Sequence, residues 1–198
     1  MNYKELGKER LIEIIEEKEK LIEEFKSMKI KLQYDACMDA VTGVLNRRAG
    51  LEILEKTILE AARQEENFII CFADIDDFKK VNDVVGHSEG DKILAEVGNI
   101  LRANIRKTDS VFRIGGDEFL IIFPNTTLQV AKTICSRVCM NIYELKEEDN
   151  NYKMGLSCGL SEYNFNSKIS ANELIRRADE GMYDVKRGKR KVENKDEL

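Results

Sequence analysis

Val111-Phe112-Arg113-Ile114-Gly115-Gly116-Asp117-Glu118-Phe119-Leu120-Ile121-Ile122-Phe123 decides how the rest of this chain is read. Two apolar runs, Val111–Ile114 and Phe119–Phe123, flank a Gly-Gly-Asp-Glu tetrapeptide. Paired glycines supply the positive φ of a tight hairpin, so the stretch predicts two antiparallel strands and a short turn. Asp117 and Glu118 then stand at the rim of a rigid ribbon. Adjacent carboxylates repel by about 1 kcal/mol unless a cation sits between them. Taken alone, the tetrapeptide also fits a solvated hairpin tip. Segments farther out decide between the two.

Upstream, Phe68-Ile69-Ile70-Cys71-Phe72-Ala73 is a continuous apolar run, short enough to be a buried central strand. It runs directly into Asp74-Ile75-Asp76-Asp77-Phe78-Lys79-Lys80-Val81-Asn82-Asp83. Side chains alternate along a strand, so Asp74 and Asp76 share a side while Ile75 returns to the core. Asp77 is read as the cap of a following short helix. Oxygen ligands from two neighbouring strand ends make a site for a hard cation such as Mg²⁺.

The remaining segments supply the frame. Gly86-His87-Ser88-Glu89-Gly90-Asp91 reads as a polar turn ahead of a helix with Ile93, Leu94, Val97, Ile100, Leu101 and Ile105 inward. Asn125-Thr126-Thr127 caps another helix, with Ala131, Ile134, Val138, Ile142 and Leu145 inward. A strand is expected over Tyr152–Tyr163. Ser170-Ala171-Asn172-Glu173 forms a capping box for a last helix, which ends in Lys186-Arg187-Gly188-Lys189-Arg190-Lys191. The expected class is therefore α+β: a ferredoxin-like β-α-β-β-α-β core, an antiparallel sheet with helices on one face. That topology places the first strand beside the central hairpin, which brings Asp74 to Asp117 and Glu118.

Ahead of this core, Leu11, Ile14, Lys18, Leu21, Phe25, Met28 and Leu32 alternate at spacings of three and four. Such heptads predict a long N-terminal coiled-coil helix that pairs two copies in parallel, with Glu24 and Lys29 placed to pair across them. A helix packed on its own domain is the alternative. Asp39–Arg48, with Gly43 and Asn46, breaks this helix, so the division falls at residues 1–37 for the dimerisation helix and 38–198 for the folded domain.

Composition narrows the function. The 198 residues carry 32 basic and 37 acidic side chains, a net charge of −5. That balance argues against a sequence-independent nucleic-acid binder. No apolar run approaches the ~20 residues of a membrane span, and no secretory signal core is visible. Cys37, Cys71, Cys135, Cys139 and Cys158 are odd in number and lie mostly among apolar neighbours. They read as reduced, buried thiols of a cytoplasmic protein. Cys135 and Cys139 share a helical face, but a single histidine in the chain gives little support for zinc there. Acids around a cation with lysines nearby suit a triphosphate, and neither a Walker loop nor kinase signatures are present.

The chain resembles the GGDEF family of diguanylate cyclases. Gly115-Gly116-Asp117-Glu118-Phe119 is that family's signature, and the likeness runs from Asp39 to about Lys191. It takes in Asp39, Thr42 and Asn46-Arg47, then Asp74-Ile75-Asp76, Phe78-Lys79 and Asn82-Asp83. Further on it includes Gly86-His87, Gly90-Asp91, Ala178-Asp179, Tyr183 and Lys186. The resemblance implies condensation of two GTP into cyclic di-GMP with release of two pyrophosphates, across a homodimer of facing sites. It implies that Asp74, the Ile75 carbonyl and Asp117 bind Mg²⁺ or Mn²⁺. Glu118 would complete the metal site or help deprotonate the 3′-hydroxyl, and Lys79 would steady the transferring phosphate. Asn82 and Asp91 would read guanine with His87 beside them, and Lys186 and Arg190 would hold the triphosphate. A carboxylate at Asp91 accepts from guanine N1–H and N2–H₂, for which adenine has no match.

Arg106 and Asp109, just upstream of the hairpin, read in isolation as an ordinary exposed ion pair. Their position resembles the family's inhibitory site for cyclic di-GMP. Two departures stand out: Val41 replaces the usual Leu, and Lys189 stands where a Gly commonly precedes the last Arg. A non-catalytic cyclic di-GMP receptor or scaffold is the alternative function, and a dinucleotide cyclase of different base choice is a third. No sensory segment is legible, so the chain is expected to be either a piece of a longer protein or an enzyme governed by assembly.

Overall fold

A computed structural model describes residues 7–145, 154–167 and 169–196, except for the side chains of Val85, Arg190 and residues 192–196. It separates at Cys37/Met38 into two compact units. The first is one helix, α1 (Lys8–Cys37), in which no residue is buried. Leu21, Phe25, Met28 and Leu32 on its apolar stripe are each at least half exposed.

The second unit begins with a turn in which Asp39 accepts from the backbone N–H (2.9 Å) and hydroxyl (2.7 Å) of Thr42. Asn46 caps α2 (Arg47–Gln64) by accepting from the Ala49 N–H. Then follow β1 (Phe68–Asp76), α3 (Phe78–Val85), α4 (His87–Asn104), β2 (Ser110–Arg113) and β3 (Glu118–Pro124). The chain continues through α5 (Leu128–Tyr143), β4 (Gly155–Tyr163) and α6 (Ala171–Asp196). Residues 152–153 of the expected last strand lie outside the described residues.

The four strands are ordered β2-β3-β1-β4, and every neighbouring pair is antiparallel. This is the expected ferredoxin-like order. The helices of that core, α4 and α5, lie on one face as expected, while the flanking α2 and α6 cover the other. Residues Ile69, Cys71, Ala73 and Ile75 of β1 enter a core with Val97 and Leu101 of α4 and Ala131 and Val138 of α5. Their alternates Phe68, Ile70 and Phe72 enter a second core with Leu54 and Ala61 of α2 and Leu174, Ala178 and Met182 of α6. A strand buried on both faces shows no polar–apolar alternation, which is why β1 is apolar throughout.

Three local expectations are corrected. Gly115 and Gly116 do not take positive φ. A Cβ at Gly115 would overlap Glu118 Oε2, so that glycine makes room for a carboxylate. The turn expected over Gly86–Asp91 is a break of one residue, because Gly86, at φ 85°, lets α4 begin at His87. Asp77 precedes α3 in a left-handed conformation without a side-chain cap bond, and its carboxylate pairs with Lys80 at 3.2 Å.

Candidate active site

Sheet register brings the acids together. Asp74 stands directly opposite Glu118 on β3 and Ser157 on β4. The Ile75 N–H donates to the Asp117 carbonyl at 3.2 Å, so the turn is laced to the end of β1. Arg113 fixes the turn from the other side. Its guanidinium donates twice to the Gly116 carbonyl (2.6 and 3.1 Å) and once to Asp39 Oδ1 (3.1 Å). Burial and crowding shift the pKa values of Asp74 and Glu118 upward. Burial raises the Asp74 pKa despite an ion pair with Lys186, and Asp117 and Asp76 add repulsion. Burial also raises Glu118, reinforced by Asp74, Asp117 and Asp179.

Asp74 and Asp76 share a side, as strand alternation requires, and both meet lysines of α6. Lys186 pairs with Asp74. Lys189 donates to Asp76 Oδ2 at 2.8 Å and to the Leu156 carbonyl at 2.7 Å, while the Ser157 hydroxyl donates to Asp76 Oδ1 at 2.6 Å. Asp76 is thus tied within the protein. The sequence alone did not place Lys189 here, because 113 residues separate the partners.

Beside the turn, Lys79, Asn82, His87, Asp91, Gly116 and Asp117 line one pocket of about 540 Å³. Five of the expected site residues therefore share one cavity. A Cβ at Gly90 would overlap Asn82 Oδ1 and lie 2.9 Å from its Cγ, so the glycine leaves room for the carboxamide. Asn82 Oδ1 is buried without a hydrogen-bond partner, an arrangement that favours a ligand donor. Arg190 lies in α6, and its side chain is outside the described residues.

Arg106 and Asp109 do not form the exposed ion pair that their spacing alone indicates. Asp109 is buried, and its Oδ2 accepts from the Arg106 backbone N–H at 2.8 Å. Its Oδ1 has no partner, whereas Arg106 is exposed.

The donors at the strand ends are all oxygens, which suits a hard divalent cation. Among the described residues the three carboxylates do not offer one oxygen each with all three within 4.8 Å of one another. The Lys186 ammonium supplies the positive charge beside Asp74.

Residues 36–192 match the family model described as "Diguanylate cyclase, GGDEF domain". The chain belongs to the GGDEF family. The diguanylate cyclase DgcS of Shewanella oneidensis is 34% identical over 156 residues, 79% of this chain and 51% of that protein. The diguanylate cyclase DosC of Escherichia coli is 37% identical over 166 residues, 81% of this chain and 35% of that protein. This chain thus spans about half the length of DgcS and about a third of DosC. Among solved structures, the coiled coil and GGDEF domain of DgcB from Caulobacter crescentus, in complex with c-di-GMP, superimposes with a TM-score of 0.81. It is 26% identical and covers 90% of this chain and 95% of that one. GGDEF cyclases as a family use a divalent metal, and no helix among the described residues is long and apolar enough to cross a membrane.

Proposed function

We propose that this GGDEF domain is an active diguanylate cyclase. Residues 38–198 form the catalytic domain, and two copies face each other, each holding one GTP. The observation that supports this most directly is the register seating Asp74 opposite Glu118, with Asp117 bonded to the same strand end. Asp74, the Ile75 carbonyl, Asp117 and Glu118 hold the metal, Mg²⁺ or Mn²⁺. When bound, that ion neutralises the phosphate oxygens and the departing pyrophosphate.

The protein's own residues bind, orient and move a proton. Asn82 and Asp91 accept from the N–H groups of guanine, with His87 at the mouth of the same pocket. Lys79 steadies the transferring phosphate, while Lys186 and Arg190 hold the triphosphate. Each 3′-oxygen attacks the α-phosphorus of the other GTP, forming one P–O bond as the bond to pyrophosphate breaks. Glu118 either completes the metal site or accepts the 3′-hydroxyl proton.

Arg106 and Asp109 form an inhibitory site for cyclic di-GMP, in which the exposed guanidinium grips phosphate or guanine and Asp109 Oδ1 gains a donor. Residues 1–37 pair two copies as a coiled coil. Reduced thiols fit a cytoplasmic setting.

The test is incubation of purified protein with GTP and Mg²⁺, reading the product by mass spectrometry and the assembly by light scattering. Cyclic di-GMP with two pyrophosphates per product is expected, and ATP should not compete. A dimeric sample that yields no product refutes the proposal. Cyclic di-GMP binding that survives Glu118→Gln, in a wild type without turnover, would assign a receptor instead. Arg106→Ala should weaken product binding at least tenfold without slowing initial turnover.

A further inference from the structure

Five cysteines look unremarkable along the sequence, but the fold gathers four of them. Cys71 comes from β1, Cys135 and Cys139 from successive turns of α5, and Cys158 from β4. Cys71 Sγ and Cys135 Sγ are 3.5 Å apart, and Cys139 Sγ and Cys158 Sγ are 3.8 Å apart. The sulfurs of Cys71, Cys135 and Cys158 all lie within 4.8 Å of one another. In a tetrahedral zinc centre with Zn–S bonds of about 2.3 Å, neighbouring sulfurs stand about 3.8 Å apart. Three sulfurs from three elements therefore already stand near the span of a chelate, and Cys139, in contact with Cys158 but outside that set, would complete it with a small side-chain shift.

We propose that Cys71, Cys135, Cys139 and Cys158 form a structural zinc site that ties α5 to the first and last strands of the sheet. Two further features support this assignment. A groove of about 750 Å³ along the edge of β4 is lined by Cys135, Cys139 and Cys158, which gives an ion a route in. Lys132 lines the same groove, and its positive charge offsets part of the excess negative charge of a zinc tetrathiolate. Thiolate is a soft donor and zinc a borderline-soft ion, so the site does not compete with the all-oxygen cluster for Mg²⁺. Binding replaces four S–H protons by four Zn–S bonds, with no change of oxidation state. Cys37 lies in α1 and takes no part.

The cluster also touches the catalytic edge. Cys139 Sγ lies 3.4 Å from the Leu156 carbonyl, which also accepts from Lys189, the lysine that holds Asp76. An ion here would stiffen the end of β1, two residues beyond Asp74. This site stands independently of the proposed cyclase activity.

Cobalt(II) reports the donor set directly. Protein purified under reductant and titrated with Co²⁺ should develop a sulfur-to-cobalt charge-transfer band and intense tetrahedral d–d bands. Both should bleach when one equivalent of Zn²⁺ is added. An ion at the carboxylates gives no sulfur band, so the two sites are distinguished without any turnover. Cys37→Ser should keep the bands unchanged, while Cys135→Ser and Cys158→Ser should each shift and weaken them and the double variant should lose them, with folding checked by circular dichroism. Zinc should also shield four of the five thiols from an alkylating reagent. Failure of the wild type to develop the sulfur band overturns the proposal, and so does conversion of the four thiols to disulfides without retained metal. The wild-type titration decides the matter even if a serine variant fails to fold.

Discussion

Two glycines at one contact carry opposite predictions. Gly159 of β4 lies against α6 so closely that an added Cβ would overlap the Ala178 carbonyl oxygen and the Met182 nitrogen. It would also stand 2.8 Å from the Gly181 carbonyl carbon. All three are backbone atoms, so no rotamer change relieves the clash, and α6 must move away from the sheet. Overpacking costs about 1–3 kcal/mol, and a rigid backbone contact belongs at the upper end, about 3 kcal/mol. Against a domain stability of about 5–15 kcal/mol, that is a large fraction. The shift also carries Lys186 and Lys189 away from Asp74 and Asp76, so activity falls along with stability. Gly181, on the opposite side of the contact, is different. Its Cβ would lie 3.6 Å from Gly159 Cα, an ordinary van der Waals distance, with no other atom nearer. Alanine there gains up to about 1 kcal/mol of helix propensity. Urea unfolding should therefore show Gly159→Ala strongly destabilised and Gly181→Ala equal to wild type or better. Equal losses at the two positions, or a Gly159→Ala midpoint matching wild type, would refute the close packing of α6 on β4.

Glu118→Gln should abolish cyclase turnover, at least 100-fold, yet stabilise metal-free protein by on the order of 1 kcal/mol, since one of three crowded charges is removed; thermal melts in EDTA check this. The raised pKa values of Asp74 and Glu118 mean that the folded protein holds their protons more tightly than the unfolded chain does. Their stabilising contribution is fully present below their ordinary values and is lost as pH rises through the raised ones, so metal-free stability should fall across that window while Mg²⁺ affinity rises. Lys186→Met should tighten Mg²⁺ binding without nucleotide, because the ammonium no longer occupies Asp74, and should weaken GTP binding; calorimetry of each ligand separates the two. Lys18→Leu places an apolar residue at a core position of the coiled coil and should strengthen dimerisation by on the order of tenfold or more, read by sedimentation equilibrium.

Much of the site was legible because it depends on local rules. The apolar run ending in Asp74, the Gly-Gly pair before Asp117 and the alternation of strand side chains are all short-range features. Sheet order then joined segments that were read separately. What stayed hidden depends on three-dimensional crowding. The sequence marks Gly115 and Gly116 as turn residues but does not show that Gly115 is needed for the space Glu118 fills. The 64 residues between Cys71 and Cys135 conceal that their sulfurs meet. Asp109 reads as an exposed acid because Arg106 lies three residues away, yet its carboxylate turns inward to bond the Arg106 backbone. Helices on both faces could be inferred from the unbroken apolarity of β1, a signal that marks a buried strand without saying what buries it.

That two-sidedness makes the register of β1 decisive. Asp74 and Asp76 fall on the side of α6, where lysines meet them, whereas Cys71 falls on the side of α5, among the other thiols. A slip of one residue would reverse every assignment, sending the carboxylates toward the α5 core and the thiol toward Lys186. Such a slip is opposed from both neighbours at once, since Phe72 pairs with Leu120 on β3 and with Gly159 on β4. Gly159 also accommodates α6, so a shifted β4 would set Cys158 or Leu160 where only a hydrogen fits. The close glycine contact and the placement of the acids are therefore one constraint: the packing that admits α6 also fixes which side chains of β1 meet the lysines of α6.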